Sequence, residues 1–338
     1  MFTGQQALDA ADFGLERYQS VQLGCPGRAH PHAHVAAVCQ ALAPQLRGAN
    51  LVVVQGDTSS ALGGALAAFD AAVPVAHVEA GLRTHDPLRP WPEEDYRIAI
   101  DAHADLLFAP TPTAVQNLSD EGVRGEVSLT GNTGVDALVR IERSLPSPPL
   151  RSRRLPHLLV TCHRRESWGE GLESIAAALI ELGSQAIAQI NLVLHPNPRV
   201  AAAMRRRLEN RVNIALLDPC PHAALVGLMR DADLILSDSG GIQEEAPALG
   251  TPLLVLRDKT ERPEAIATGN ARLVGTATAR IVDEVRRIVG DPLVLAAMSR
   301  RAFPFGDGRS APRIAAAIED WLERKSSGGL AAAGGHQG

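Results

Sequence analysis

Short apolar runs of strand length alternate with helix-period segments along almost the whole chain, and this alternation restricts the fold more than any other feature. In the first half, strand runs at 51–54, 75–78, 106–109 and 127–130 are separated by helical patterns near 60–72 and 113–121. The second half begins with strand 158–161 and a helix carrying Leu172, Ile175, Leu179 and Leu182 on one face. Strands 190–194, 214–217, 234–236 and 253–256 follow, with helices 200–209, 223–231, 279–289, 292–302 and 311–323. Repeated strand–helix–strand units bury both faces of a parallel sheet under helices. The predicted fold class is therefore α/β, with Rossmann-like, doubly wound parallel sheets.

The alternation breaks at 144–156, SLPSPPLRSRRLP, where Pro, Ser and Arg replace the apolar pattern. This segment reads as an interdomain linker. The predicted division is a first domain at 1–143, the linker at 144–156, a second, nucleotide-binding domain at 157–310, a helix at 311–324, and a disordered Gly/Ala/Ser tail at 325–338. A chain of 338 residues has enough apolar material for two cores. Two such domains would hold ligand in a central cleft at the carboxyl ends of their strands.

The net charge of −5 carries no dominant basic face and argues against nucleic acid as a partner. No apolar run approaches the roughly 18 residues of a membrane span, and Met1 leads into polar residues rather than a secretion signal. The four cysteines, Cys25, Cys39, Cys162 and Cys220, lack metal or disulfide spacing. Reduced thiols in a cytoplasmic protein are expected.

Within the second half, 232–245 reads ADLILSDSGGIQEE: an apolar strand, then Ser239, Gly240 and Gly241, then a helical pattern to Leu249. A glycine turn at a helix N-terminus brings backbone N–H groups and a positive dipole end close to an anion such as a phosphate. The same residues also serve as a tight strand-to-helix turn that binds nothing, and the motif alone leaves both readings open.

Other polar residues gather at predicted strand ends: Gly56-Asp57-Thr58, then His77 and Glu79, then Glu93, Glu94 and Arg97 in PWPEEDYR. In the second half the equivalents are His163-Arg164-Arg165-Glu166, His195-Pro196-Asn197 and Glu261-Arg262-Pro263-Glu264. Any one of them could be a helix cap or a charge favouring a helix dipole. Their recurrence in both halves points to a charged cleft. His30, His32 and His34, in HPHAH, have a metal-like look, but without a matching carboxylate set they read as a loop or helix start.

These segments carry a wider resemblance. VQGDTSS, PVAHVEAGLRT, PWPEEDYR, TGNTGVDAL, LVTCHRRESWGEG, HPNPRV, SDSGGIQEEAPALGTPLLVLRDKTERPEA and PFGDG resemble, in one register from about Thr3 to Leu322, the bacterial non-hydrolysing UDP-N-acetylglucosamine 2-epimerases. The resemblance implies the GT-B type two-domain fold and interconversion of UDP-N-acetylglucosamine and UDP-N-acetylmannosamine. It implies a homodimer and no metal or other cofactor. The route implied is anti elimination of UDP to a 2-acetamidoglucal, then re-addition with the proton on the other face. By motif match, Asp57, Glu79 and Glu93 are the expected essential carboxylates and His163 the active-site histidine. Arg97 is expected on a phosphate or on Glu93, and Ser239, Gly240 and Gly241 on the diphosphate. Glu245 is expected on the ribose, with Arg262 and His195 as further ligand-facing residues.

One departure is large. The family opens with a strand and a GTRPEA-like loop upstream of the TGQ found here at Thr3-Gly4-Gln5, so the chain as written is expected to lack the first strand of its first domain. That gives weight to a UDP-sugar-binding protein without turnover. A hydrolysing relative that releases UDP and free N-acetylmannosamine is the other enzyme alternative. A glycosyltransferase shares the fold, but gives no reason for the carboxylates of HVEAGLRT and PWPEE together.

Overall fold

A computed structural model describes residues 30–88, 90–146, 154–162 and 169–333. They pack as two compact units: one ends at Asn132 and resumes at Arg309, and the other is Thr133–Gly308.

The first unit runs α1 (Pro31–Leu42), β1 (Val52–Gln55), α2 (Ser59–Asp70), β2 (Val75–Val78), α3 (Glu93–Asp101), β3 (Leu106–Ala109), α4 (Pro112–Asp120) and β4 (Glu126–Leu129). Its strands form a parallel sheet in the order β1-β2-β3-β4. Side chains alternate across it. Val75, Leu107 and Ala109 join Leu62 and Ala65 of α2, Ile100 of α3 and Leu118 of α4 in one core. Ala76, Val78, Leu106 and Phe108 point the other way. The helices start on sequence signals: Thr58 caps α2 by accepting Ala61 N–H at 3.1 Å, and Thr111 caps α4 with Pro112 behind it. Gly63 lets α1 and α2 touch, since a Cβ there would lie 2.8 Å from the Val35 carbonyl oxygen.

The second unit opens with α5 (Thr133–Ser144) and β5 (His157–Thr161), then α6 (Glu170–Ser184), β6 (Gln189–Val193), α7 (Pro198–Leu208), β7 (Ile214–Leu217), α8 (His222–Asp231) and β8 (Leu234–Ser237). It continues with α9 (Gly240–Leu249), β9 (Leu253–Val255), α10 (Pro263–Ala267), β10 (Ala271–Leu273), α11 (Thr278–Gly290) and α12 (Pro292–Met298). The six-stranded sheet is again parallel, in the order β10-β9-β8-β5-β6-β7. Helices α6, α7, α11 and α12 cover the face of Leu158 and Val160; α5, α8, α9 and α10 cover the face of Leu159 and Ile235. Chain order reverses between β6 and β8 on either side of β5, a switch point where α/β sheets receive ligands.

The last helix, α13 (Ser310–Ala333), returns to the first unit, where Ile314 and Trp321 cover Ala76, Val78, Leu106 and Phe108. Arg324 pairs with Glu126 at 2.7 Å.

Three expectations need adjustment. Helix α5, placed in the first domain on sequence, packs with the second unit because Val135 and Leu138 join its core. Helix α12 stops at Met298 rather than 302, where the Asn270 amide takes the Met298 and Arg300 carbonyls at 2.7 and 2.5 Å. Helix α13 runs through most of the expected tail, to Ala333; within it Ser326 and Ser327 return their hydroxyls to the carbonyls of Leu322 and Glu323. Residues 334–338 lie outside the described residues.

Candidate active site

Strands β1 and β2 end level. Gln55 pairs with Val78, and Gly56 N–H donates to the Val78 carbonyl at 3.0 Å, so Asp57 and Glu79 leave adjacent strands side by side. A Cβ on Gly56 would lie 3.5 Å from Glu79 Oε2. Gly56 has φ +67° and Glu79 φ +72°; for glutamate this left-handed conformation is strained. It is held by two bonds to one acceptor, since Glu79 N–H and Ala80 N–H both donate to the Phe108 carbonyl at 3.1 Å.

Glu93, Glu94 and Asp95 fill the first turn of α3, where the helix dipole favours negative charge. The adjacent glutamates have different surroundings. Glu94 is buried and accepts from the N–H groups of Thr84 and His85 and from Arg97 Nη1 at 3.0 Å. Arg97, also buried, gives its Nη2 to Asp57. The guanidinium expected on a phosphate or on Glu93 is thus engaged by Asp57 and Glu94.

Beneath this edge lies a network that sequence reasoning missed. His77, fully buried, places Nδ1 2.6 Å from Asp101 Oδ1 and Nε2 3.0 Å from the Gly56 carbonyl. Asp101 Oδ2 accepts from Gly81 N–H at 3.0 Å and Arg83 Nη2 at 2.7 Å. Arg83 grips both oxygens of Glu121 at 2.7 Å. The available signal was the helical phase of Arg97, Ile100 and Asp101 on α3, which places an acid on the buried face.

In the second unit, Ser239 begins α9 after β8, and Gly240 and Gly241 form its first turn. Thr161 and Ser237 share a hydroxyl hydrogen bond at 2.6 Å, and Ser237 Oγ accepts Ser239 N–H at 3.0 Å. Thus the side chains ending β5 and β8, at the switch point, fix the turn. Arg262 lies over Gly240, whose added Cβ would meet Nη1 at 2.8 Å, whereas a Cβ on Gly241 would meet nothing within 4 Å. Arg262 is itself held by Glu244 at 2.6 Å and by Glu261, which also binds Arg257 at 2.9 Å. A guanidinium at a helix N-terminus, beside backbone N–H groups, makes a concentrated anion-attracting site.

Glu245 Oε1 lies 2.7 Å from His222 Nε2, and that hydrogen bond raises the His222 pKa against an opposing effect of burial. His195 Nδ1 accepts Asn197 N–H at 2.8 Å, placing its ring proton on Nε2. Burial, with Asp238 nearby, pushes the Cys162 thiol well up and leaves it protonated. His163, the expected active-site histidine, lies outside the described residues.

His32 sits in the first turn of α1 with its ring edge-on to Trp91 and Tyr96. Among the described residues, no three His, Cys, Asp or Glu side chains are grouped to hold a metal ion, and no helix is long and apolar enough to cross a membrane.

Comparison with known proteins matches residues 3–319 to the model of the UDP-N-acetylglucosamine 2-epimerase family. The chain is 44% identical over 302 residues to a probable UDP-N-acetylglucosamine 2-epimerase of Ralstonia nicotianae, covering 85% of this chain and 79% of that protein. With the UDP-N-acetylglucosamine 2-epimerase of Escherichia coli K12 it shares 45% over 284 residues, covering 80% and 76%. The crystal structure of the Neisseria meningitidis UDP-GlcNAc 2-epimerase bound to UDP-GlcNAc superposes with a TM-score of 0.80 at 35% identity, covering 86% of this chain and 82% of that one.

Proposed function

The chain belongs to the UDP-N-acetylglucosamine 2-epimerase family, and from that premise we propose that it interconverts UDP-N-acetylglucosamine and UDP-N-acetylmannosamine by elimination and re-addition of UDP. The C2 proton of a sugar is barely acidic, so its removal needs a concerted departure elsewhere. A carboxylate takes that proton, the C–H electron pair forms the C1–C2 double bond, and the bond from C1 to the pyrophosphate oxygen breaks. UDP leaves with the C1–O bonding pair and a 2-acetamidoglucal remains. In the return step the pyrophosphate oxygen attacks C1 and a proton reaches C2 on the opposite face.

Asp57, Glu79 and Glu93 supply the acid and base groups in this reading, with His163 beside the leaving oxygen. Arg97 holds Asp57 in place. Ser239, Gly240, Gly241 and Arg262 receive the diphosphate, Glu245 the ribose, and His195 lies close to the nucleotide. No redox step is needed, because elimination and re-addition only redistribute electrons among C–H, C–C and C–O bonds, with no net oxidation.

The observation that carries the proposal is the placement of Asp57 and Glu79 on adjacent strand ends, with a Gly56 Cβ position 3.5 Å from the Glu79 carboxylate, in a chain matched to the family over 3–319. Incubation with UDP-N-acetylglucosamine in deuterated water tests it. The expected result is UDP-N-acetylmannosamine carrying deuterium at C2. Accumulation of free N-acetylmannosamine would mean that water captures the intermediate, and an unlabelled product would exclude proton abstraction.

A further inference from the structure

Behind Asp57 runs a chain of charges, from exposed Glu121 through buried Arg83 and Asp101 to buried His77, that ends on the Gly56 carbonyl. Asp101 spends one oxygen on Gly81 N–H and Arg83, and turns the other toward His77 Nδ1 at 2.6 Å. A carboxylate so supplied with donors stays ionised and only accepts. The Gly56 carbonyl, 3.0 Å from Nε2, also only accepts. Both ring nitrogens therefore carry protons, and His77 is a buried imidazolium.

We infer that His77, kept charged by Asp101, is a positioning residue for Asp57: its Nε2–H grips the Gly56 carbonyl and fixes the peptide that leads into the carboxylate. The inference rests on the reading of Asp57 as catalytic and deepens it. Burial alone disfavours the charged ring; the charge and hydrogen bond of Asp101, then the Gly56 carbonyl and Glu79, outweigh it and raise the His77 pKa. Asp101 moves oppositely: burial would raise it, but His77 and then Arg83 hold it below the usual carboxylate range. The groups facing His77 are Asp101 from α3, the Gly56 carbonyl after β1 and Glu79 after β2, with Arg83 and Glu121 behind Asp101.

When alkali removes a proton, Nδ1–H stays on the Asp101 carboxylate and Nε2 turns a lone pair toward the Gly56 oxygen. Two acceptors then face each other, the turn shifts, and kcat falls while UDP affinity holds.

Histidine-selective nitrogen-15 labelling of the full chain reads the protonation state directly. His77, identified as the signal missing from His77→Gln, is expected to show two protonated nitrogens at about pH 8, where an ordinary histidine of pKa about 6.5 is neutral. A neutral ring there overturns the inference. The glutamine amide still donates to Gly56, so His77→Gln is expected to hold kcat within a few-fold and to lose the alkaline limb of the rate profile. His77→Leu cannot donate, and its kcat should fall about a hundredfold, the scale of misplacing a reacting group by ~1 Å, with KM little changed. Equal losses in the two variants, or a wild-type alkaline limb in His77→Gln, overturn it as well. Full activity of Asp57→Asn would sink the catalytic reading instead, leaving the nitrogen signals as expected, so the two failures are distinguishable.

Discussion

Where β1 and β2 end, the chain holds carboxylates; where β8 ends, it holds glycines, hydroxyls and a helix N-terminus. The first site depends on what each side chain is. Its acids are kept in place by buried Arg97, Arg83 and His77, and Glu79 sits in a backbone conformation that glutamate adopts only under constraint. The second depends largely on what is absent, since backbone N–H groups stand beside Arg262 and a side chain on Gly240 would displace that guanidinium. A carboxylate site is therefore sensitive to charge, and an amide site to volume. That contrast gives the two units separate failure modes.

The largest expected effect tests the first site. Asp57→Asn and Glu79→Gln should each lower the epimerisation rate by about 10²–10⁴-fold, the range of general acid–base contributions, with UDP affinity by calorimetry unchanged. Weakened UDP binding in either variant would break the separation between the sites. An intermediate effect tests the second. Gly240→Ala should cost about 1–3 kcal/mol through crowding against Arg262, read as weaker UDP binding and a lower melting temperature. Gly241→Ala has open space at its Cβ position, so its melting temperature should match the parent protein.

The smallest effect concerns Glu245 and His222. The folded His222 pKa is raised, so its contribution to stability is complete below the unfolded value of about 6.5 and fades as pH rises through the folded value. His222 is partly exposed, and Glu245→Gln should cost only about 0.2–1 kcal/mol at pH 5.5 and less at pH 9 in urea unfolding. A loss growing with pH would refute that assignment.

Strand positions were legible because buried parallel strands are written as apolar runs, and 75–78 and 106–109 were read to the residue. The glycine turn at 239–241 was legible because its helix N-terminus follows directly from local sequence. Unit membership was not. Helix α5 abuts the Pro-rich break, and only long-range packing of Val135 and Leu138 assigns it. Only the motif match separated Glu93 from Glu94 in the sequence; residue pattern alone could not, because the Thr84 and His85 amides decide which carboxylate is buried. The His77 network stayed hidden for the same reason. Its members come from β2, the following loop, α3 and the end of α4, and no spacing rule links them.

Helix α13 carries a consequence for how the chain matures on the ribosome. One face of the first sheet, at Ala76, Val78, Leu106 and Phe108 of β2 and β3, has Ile314 and Trp321 as its cover, so these strands wait for residues translated after the whole of the second unit. Throughout synthesis of Thr133–Gly308 that face lacks its native lid, and a chaperone that shields greasy sheet surface has a defined window in which to act.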